Sequence, residues 1–232
     1  MGKKLVNISS MFKTKQELVY YELKNAIIEC EYLPCEKLVI KSLAGKYNVS
    51  ESPVREAIKR LISEDFLSEQ NGNIFVAPIS EIEFIDMLDV RLELERITVK
   101  LAAKKASDSD LSDLSKTLHD MKDHFNKGEM KYYEKCHKEF HTKIFKLCGV
   151  KYLLSAVYDA LEHSERGINF FKLKAWTSTP SLLDHEMIFN ALKDNSPEDA
   201  EKWLMLNRKK AFDLYKNQIC AIIDSKCREI DR

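Results

Sequence analysis

Apolar residues recur along most of the chain at intervals of three and four positions, the spacing of one face of an α-helix. These intervals, and the polar residues that interrupt them, predict three helices in the first third of the chain and six in the remainder. The predicted ranges are 14–31, 38–47, 51–64, 81–106, 109–127, 130–147, 151–171, 179–193 and 197–225. We therefore expect a mainly α-helical protein.

One short region has the pattern of β-strands instead. Two apolar-rich segments, 66–68 and 74–76, flank the dipeptide Asn71-Gly72. Because Asn-Gly readily adopts the left-handed backbone of a tight turn, this arrangement favours a small β-hairpin. The hairpin is followed by a short linker at 77–80.

The linker divides the chain into two predicted domains, over 1–78 and 81–232. In the first domain three helices precede a hairpin, which is the element order of a winged helix-turn-helix. The second domain contains helices only, and we expect them to pack as a bundle.

Composition narrows the class of protein. Hydrophobic residues make up 44% of the chain and charged residues 32%, a balance typical of folded globular proteins. No apolar run approaches the ~18 residues of a membrane helix, and the chain starts without an apolar signal segment. We therefore expect a cytoplasmic protein that does not associate with a membrane. The six cysteines form no C-x-x-C pair, and in that compartment we expect them to be reduced thiols.

Charge is balanced overall but not locally. The 37 basic and 37 acidic residues cancel, which excludes a globally basic nucleic-acid binder. Residues 41–60, however, hold five basic residues and two acidic ones. Positive charge therefore gathers on the second and third helices, where it could neutralise DNA phosphates. From spacing and charge alone, a packed three-helix unit with a solvated charged face is an equally good interpretation.

The sequence VSESPVREAIKRL, which begins at Val49, resembles the recognition-helix signature of the GntR family of bacterial transcription regulators. Upstream, EYLPCEKL resembles the family's turn after the first helix, with Cys35 where glycine is usual. The resemblance implies a winged helix-turn-helix that binds a double-stranded DNA operator. The contacts it implies are Lys41, Ser50, Glu51, Ser52, Arg55, Lys59, Asn71 and Gly72.

Glu51 departs from the family pattern, because many relatives have a basic residue there that reads a base. A carboxylate accepts hydrogen bonds only from donors such as cytosine N4. We therefore expect either a different operator sequence or a Glu51 side chain that points away from the DNA.

In the second domain, polar residues interrupt the apolar faces of three helices: His137 and His141 on one, His185 on another and Asn207 on the last. A buried polar group without a partner costs about 1–3 kcal/mol, so four of them suggest mutual pairing, water or a ligand. A single such histidine is ordinarily a paired core residue. Three histidines from two helices form a plausible site for a divalent metal.

Arg91 and Glu95 form a second polar pair, one helical turn apart in the middle of the apolar face of helix 81–106. Two interpretations stay open. The pair is either an internal ion pair, or Arg91 helps to bind the carboxylate of an effector.

Residues 81–225 resemble the FCD ligand-binding domain of the FadR branch of the same family. The segments HKEFHTKI, DHEMI and AEKWLMLN, which end at Ile144, Ile188 and Asn207, match its metal-binding motifs. The implied metal ligands are His137, His141, His185 and Asn207, with zinc or nickel favoured. His137 replaces the family's aspartate and Asn207 its last histidine. The implied effector site contains the same four residues together with Arg91 and Glu95.

The predicted function is that of a homodimeric transcription regulator whose operator affinity is controlled by a small effector, an organic acid. One alternative is a DNA-binding regulator whose bundle only dimerises and binds no effector. A metal-dependent hydrolase or lyase is disfavoured, because Glu139, the available general base, lies off the face that carries His137 and His141. We therefore expect no enzymatic activity.

Overall fold

The computed structural model describes residues 14–171 and 182–230. Within these ranges the chain forms nine α-helices and three short β-strands, which confirms the predicted mainly α-helical fold. The helices are α1 (Lys15–Ile28), α2 (Ile40–Tyr47), α3 (Glu51–Ser63), α4 (Glu81–Ala103), α5 (Asp108–Asn126), α6 (Met130–Leu147), α7 (Lys151–Phe170), α8 (Leu182–Lys193) and α9 (Pro197–Ile230). The strands are β1 (Lys37–Leu38), β2 (Leu67–Gln70) and β3 (Asn73–Val76).

These elements form two compact units. The first contains the described residues up to Ser80, together with the end of α7 from Glu165 onward. The second contains α4, α5, α6, α8, α9 and the part of α7 that ends at Ser164. None of the described helices has the length and apolar character needed to cross a membrane.

The core of the first unit forms where α1, α3 and the hairpin turn their apolar residues inward. In α3 these residues recur at helical spacing, so the remaining positions of the helix face solvent. The largest fully buried side chains of this core are Leu23, Ile27, Leu61 and Phe66. The helix α1 begins with a capping box in which Thr14 and Glu17 bind each other's backbone N–H groups.

The small sheet has the order β1-β3-β2, and both pairings are antiparallel. The hairpin of β2 and β3 confirms the sequence-based prediction. Asn71 and Gly72 form its two-residue turn with φ values of 51° and 73°, the left-handed values that such a turn requires. The strand β1 was not predicted, because two residues are too few to show an alternating pattern.

Several predicted helix boundaries were wrong by a few residues. The first helix ends at Ile28 because Cys30 adopts a left-handed backbone with φ 57°. The second helix starts at Ile40 because Leu38 pairs with Ile74 in the sheet. The last helix continues to Ile230. The predicted start of the eighth helix, 179–181, lies outside the described residues.

The second unit has an apolar core to which all six of its helices contribute, α4 to α9. Phe140, Ile144, Phe145, Ile188 and Leu204 are completely buried there. The helix α4 packs against α9, α5 against α6, and α8 against α9. Several polar residues are also buried within this unit, among them Arg91, Glu95, His141, His185 and Asn207.

Cys35 generates a prediction about stability. It is exposed and has a left-handed backbone with φ 65°, which costs an ordinary residue roughly 1–2 kcal/mol. Glycine removes that cost but loses about 0.5–1 kcal/mol through the greater freedom of the unfolded chain. We therefore expect Cys35→Gly to raise the free energy of unfolding by up to about 1 kcal/mol in urea denaturation.

Cys35→Ala is the matched control, because alanine also removes the thiol but keeps the Cβ atom that disfavours this backbone. It should leave the free energy of unfolding close to that of the wild type. A glycine variant no more stable than the alanine variant would contradict the interpretation.

Candidate functional site

The connection between α2 and α3 is the tight turn of a helix-turn-helix. Asn48 ends α2 with a left-handed backbone (φ 52°, ψ 52°), and the N–H of Val49 donates to the carbonyl of Ala44 at 3.0 Å. Ser50 occupies the N-cap position of α3, but its hydroxyl makes no capping hydrogen bond. The hydroxyl is therefore exposed at the start of the helix.

All eight predicted DNA contacts are solvent-exposed residues of the first unit. The apolar residues of α3 face the core, which leaves one side of that helix accessible. Lys41 lies at the start of α2, and Asn71 and Gly72 lie at the tip of the hairpin. The exposed positions are Lys41, Ser50, Glu51, Ser52, Arg55, Lys59, Asn71 and Gly72.

Glu51 contacts Arg55 on the exposed side of α3. The distance from Arg55 Nη2 to Glu51 Oε2 is 2.8 Å, and about half of each side chain is accessible. Exposed pairs of this kind contribute only about 0–1 kcal/mol. Arg55 can therefore exchange this partner for a phosphate or a base edge at little cost.

The second unit brings together the three predicted histidines. His137 and His141 come from α6 and His185 from α8, and their ring centroids lie 4.8, 4.9 and 5.0 Å apart. One nitrogen from each ring lies within 4.8 Å of the other two. His141 and His185 are buried, and His137 is half-buried.

Two of these rings meet through their Nε2 atoms, which are 3.1 Å apart in His141 and His185. Without an ion, this is a hydrogen bond between complementary neutral tautomers. Two nitrogens bound to one tetrahedral zinc ion at about 2.0–2.1 Å would lie about 3.3 Å apart, so the spacing also fits a shared cation. Phe140 packs edge-on against both rings, with centroid distances of 5.6 and 5.4 Å.

Two of the three imidazoles, those of His137 and His141, are held in the neutral form. Burial is the largest cause that holds the pKa of His137 and of His141 well below the ordinary value, and neighbouring histidines lower each pKa as well. The positive charges of Arg208 and Arg91 add to this effect. At neutral pH both rings therefore keep a nitrogen lone pair available for a metal or a hydrogen bond.

A buried ion-pair network lies within electrostatic range of these histidines. Glu95, completely buried on α4, accepts a hydrogen bond from Arg91 Nε at 2.7 Å on one oxygen. Its other oxygen accepts from Arg208 Nε, on α9, at 2.6 Å. Arg91 Nη1 also donates to Ser164 Oγ at 2.8 Å. The internal ion pair of Arg91 and Glu95 is thus present.

Glu95 stays ionised in this environment. Burial by itself would raise the Glu95 pKa, but the charges of Arg208 and Arg91 together outweigh burial and lower it. Burial also lowers the pKa of Arg208, although an arginine side chain stays protonated in proteins. Two guanidinium groups share one carboxylate, so the network carries a net charge of one positive unit.

Sequence reasoning missed Arg208. It stands directly after Asn207, which is buried on α9 as predicted, and before two lysines, and no motif in the sequence singles it out. A signal for its burial was present: Leu204 and Phe212, four residues away on either side, place it on the apolar face of α9.

Comparison with known proteins agrees with both units. The model of "Bacterial regulatory proteins, gntR family" matches residues 15–76, and that of the FCD domain matches residues 86–206. The chain is similar to the Nta operon transcriptional regulator of Aminobacter aminovorans, with 30% identity over 88% of this chain and 93% of the relative.

A second curated relative and a solved structure are also similar to this chain. The HTH-type transcriptional repressor GlaR of Escherichia coli is 31% identical over 58% of this chain, and the match spans 64% of that relative. The solved structure of E. coli McbR/YncC superposes with a TM-score of 0.74 over 89% of this chain and 99% of that chain. At 21% identity, this likeness shows the shared fold only.

The family assignment decides between the classes left open by the sequence. The relatives are transcriptional regulators and not enzymes, so the hydrolase alternative is dropped. The helix-turn-helix at the start of the chain is a DNA-binding module, and the helical unit is an FCD domain. The chain belongs to the GntR family of bacterial transcription regulators.

Proposed function

We propose that a small organic acid binds in the second unit and changes the affinity of this regulator for its DNA operator. One observation carries the proposal: a cluster of three histidines and a net-positive ion-pair network lie in the interior of the second unit. Burying such groups is costly unless they have partners. A small anion with further polar groups would supply these partners.

An effector can shift DNA binding only if it binds two conformations with different affinity. The proposal therefore requires that an acid favours one presentation of α3 over another. We also propose a cytoplasmic homodimer, because one helix-turn-helix offers few phosphate contacts and two-fold operators match two-fold proteins. A regulator whose helical unit only dimerises stays the alternative, and effector binding separates the two.

We further propose that His137, His141 and His185 hold a divalent metal, zinc or nickel, with Asn207 as a further ligand or as a partner of the bound acid. Three neutral imidazoles suit these ions and leave a coordination position open. When bound, the metal would supply positive charge that attracts the oxygens of an acid. The fit is supported by the spacing of His141 Nε2 and His185 Nε2 and by the lowered pKa values.

The direct test of effector control is an operator gel shift in the presence of small carboxylic acids, combined with thermal denaturation. At least one acid should raise the melting temperature and change the operator affinity over the same concentration range. Acids that affect neither quantity, with or without added zinc and nickel, would favour the regulator that only dimerises.

Arg55→Ala should weaken operator binding by roughly 10- to 100-fold, since one good base contact contributes about 1–3 kcal/mol. Lys127→Ala is the matched control, because Lys127 is equally exposed and also pairs with an acid one helical turn away, but in the second unit. Gel-shift titrations measure both variants. If Arg55→Ala bound the operator as tightly as the control, Arg55 would not belong to the DNA contacts.

Protein purified without a chelator should carry about one metal ion per chain by elemental analysis. His141→Ala should lose the metal and lower the melting temperature, because the ion stabilises only the folded state. His119→Ala is the control, because it removes an exposed histidine of α5. This variant should keep the bound metal and the wild-type melting temperature. Wild-type protein that is purified without metal, and whose melting temperature does not change when zinc or nickel is added, would refute the metal proposal. The proposed effector control would not be affected by that result.

A further inference from the structure

We propose that Arg208 anchors the carboxylate of the effector, so that this regulator binds its acid even without a metal. The proposal rests on the effector control proposed above and assigns a residue and a ligand class to it. The ligand is a small carboxylic acid with a second polar group. Arg208 lies one position beyond Asn207, where the motif resembling the family's metal site ends.

Only one of the three guanidinium nitrogens of Arg208 has a hydrogen-bond partner in the described part of the chain. Its Nε donates to Glu95 at 2.6 Å, which fixes the plane of the guanidinium group. Neither of its terminal nitrogens, Nη1 or Nη2, has a hydrogen-bond or ion-pair partner among residues 14–171 and 182–221. Yet only 8% of the side chain is accessible. A rigid guanidinium edge is therefore presented inside the domain.

The charge balance of the network favours an anionic ligand. Glu95 carries one negative charge for two arginines, so within the described part of the second unit the network keeps one uncompensated positive charge. In the described part of the second unit, neither Arg91 nor Arg208 pairs with any other carboxylate. Asp184 is buried as well, but it is engaged by Lys210 at 2.9 Å. A buried unpaired charge is unfavourable, and a bound carboxylate would restore neutrality.

The chemistry of the free edge selects the ligand class. Two N–H groups of a guanidinium match the two oxygens of a carboxylate in a planar, bidentate pair. Because Glu95 already holds Arg208 in place, little side-chain freedom is lost when the acid binds. His137 and His141 lie within electrostatic range of Arg208. In the proposed complex, the second polar group of the acid faces this histidine cluster.

A purely structural role for Arg208 makes a different prediction. If Arg208 served only to neutralise Glu95, its loss would destabilise the fold. If it serves a ligand, Arg208→Met leaves a balanced pair of Arg91 and Glu95, and the melting temperature without acid stays unchanged or rises by a few degrees. Only if Arg208 serves the ligand does Arg208→Met lose affinity for the acid while keeping its melting temperature.

The experiment uses full-length protein treated with a chelator, as wild type, Arg208→Met, Arg208→Lys and Lys209→Met. Lys209 is the matched control, because it is the next residue, carries the same charge and is exposed. Thermal shifts with sodium salts of mono-, di- and hydroxycarboxylic acids and of phosphate identify the best acid. Calorimetric titration then compares its affinity for the four proteins.

Wild type and Lys209→Met should bind this acid equally well. Arg208→Met should lose at least about tenfold in affinity, and Arg208→Lys, which keeps the charge but not the bidentate edge, should fall between them. If Arg208→Met fails to fold, Arg208 has a structural role and the lysine variant decides the question. Arg208→Lys that folds and binds the acid as tightly as wild type would refute the proposed bidentate contact.

Two further results would overturn the role of Arg208 while leaving effector control in place. One is equal affinity of Arg208→Met and wild type for the acid. The other is binding that disappears from wild type after chelation and returns with zinc or nickel. Absence of acid binding in both metal states would refute the proposed effector control itself.

Discussion

The second unit depends on one buried carboxylate. Glu95 joins α4 to α9 by accepting a hydrogen bond from Arg91 on one oxygen and from Arg208 on the other, and Arg91 extends the network to Ser164 on α7. Removing Glu95 itself would leave two buried arginines without a carboxylate, and breaking a buried ion pair in this way typically costs about 3–5 kcal/mol. The carboxylate therefore fixes the relative placement of three helices.

The same network sets the chemistry of its surroundings. Its net positive charge, added to burial, lowers the pKa of His137 and His141 and keeps them neutral. Neutral histidines can bind a metal or donate and accept hydrogen bonds, whereas protonated ones could only donate. One interaction thus links the packing of the helices with the ability of the unit to bind a small charged ligand.

The first unit follows simpler rules. Its apolar residues at helical spacing face the core, and the residues between them become the exposed side of α3 as a direct consequence. The Asn71-Gly72 turn closes the hairpin because both residues tolerate a left-handed backbone. Here local patterns and short motifs were sufficient, and only β1 and a few helix ends had to come from the folded structure.

The sequence by itself determined the family, the helix-turn-helix, the hairpin and the grouping of His137, His141 and His185, because each rests on local spacing or a short motif. The tertiary structure alone revealed the partner of Glu95 on α9, since a contact between residues 113 positions apart leaves no periodic trace in the chain. It also decided that Arg208 is buried rather than part of a solvated basic run. Burial and pairing depend on packing between helices, which sequence spacing does not specify.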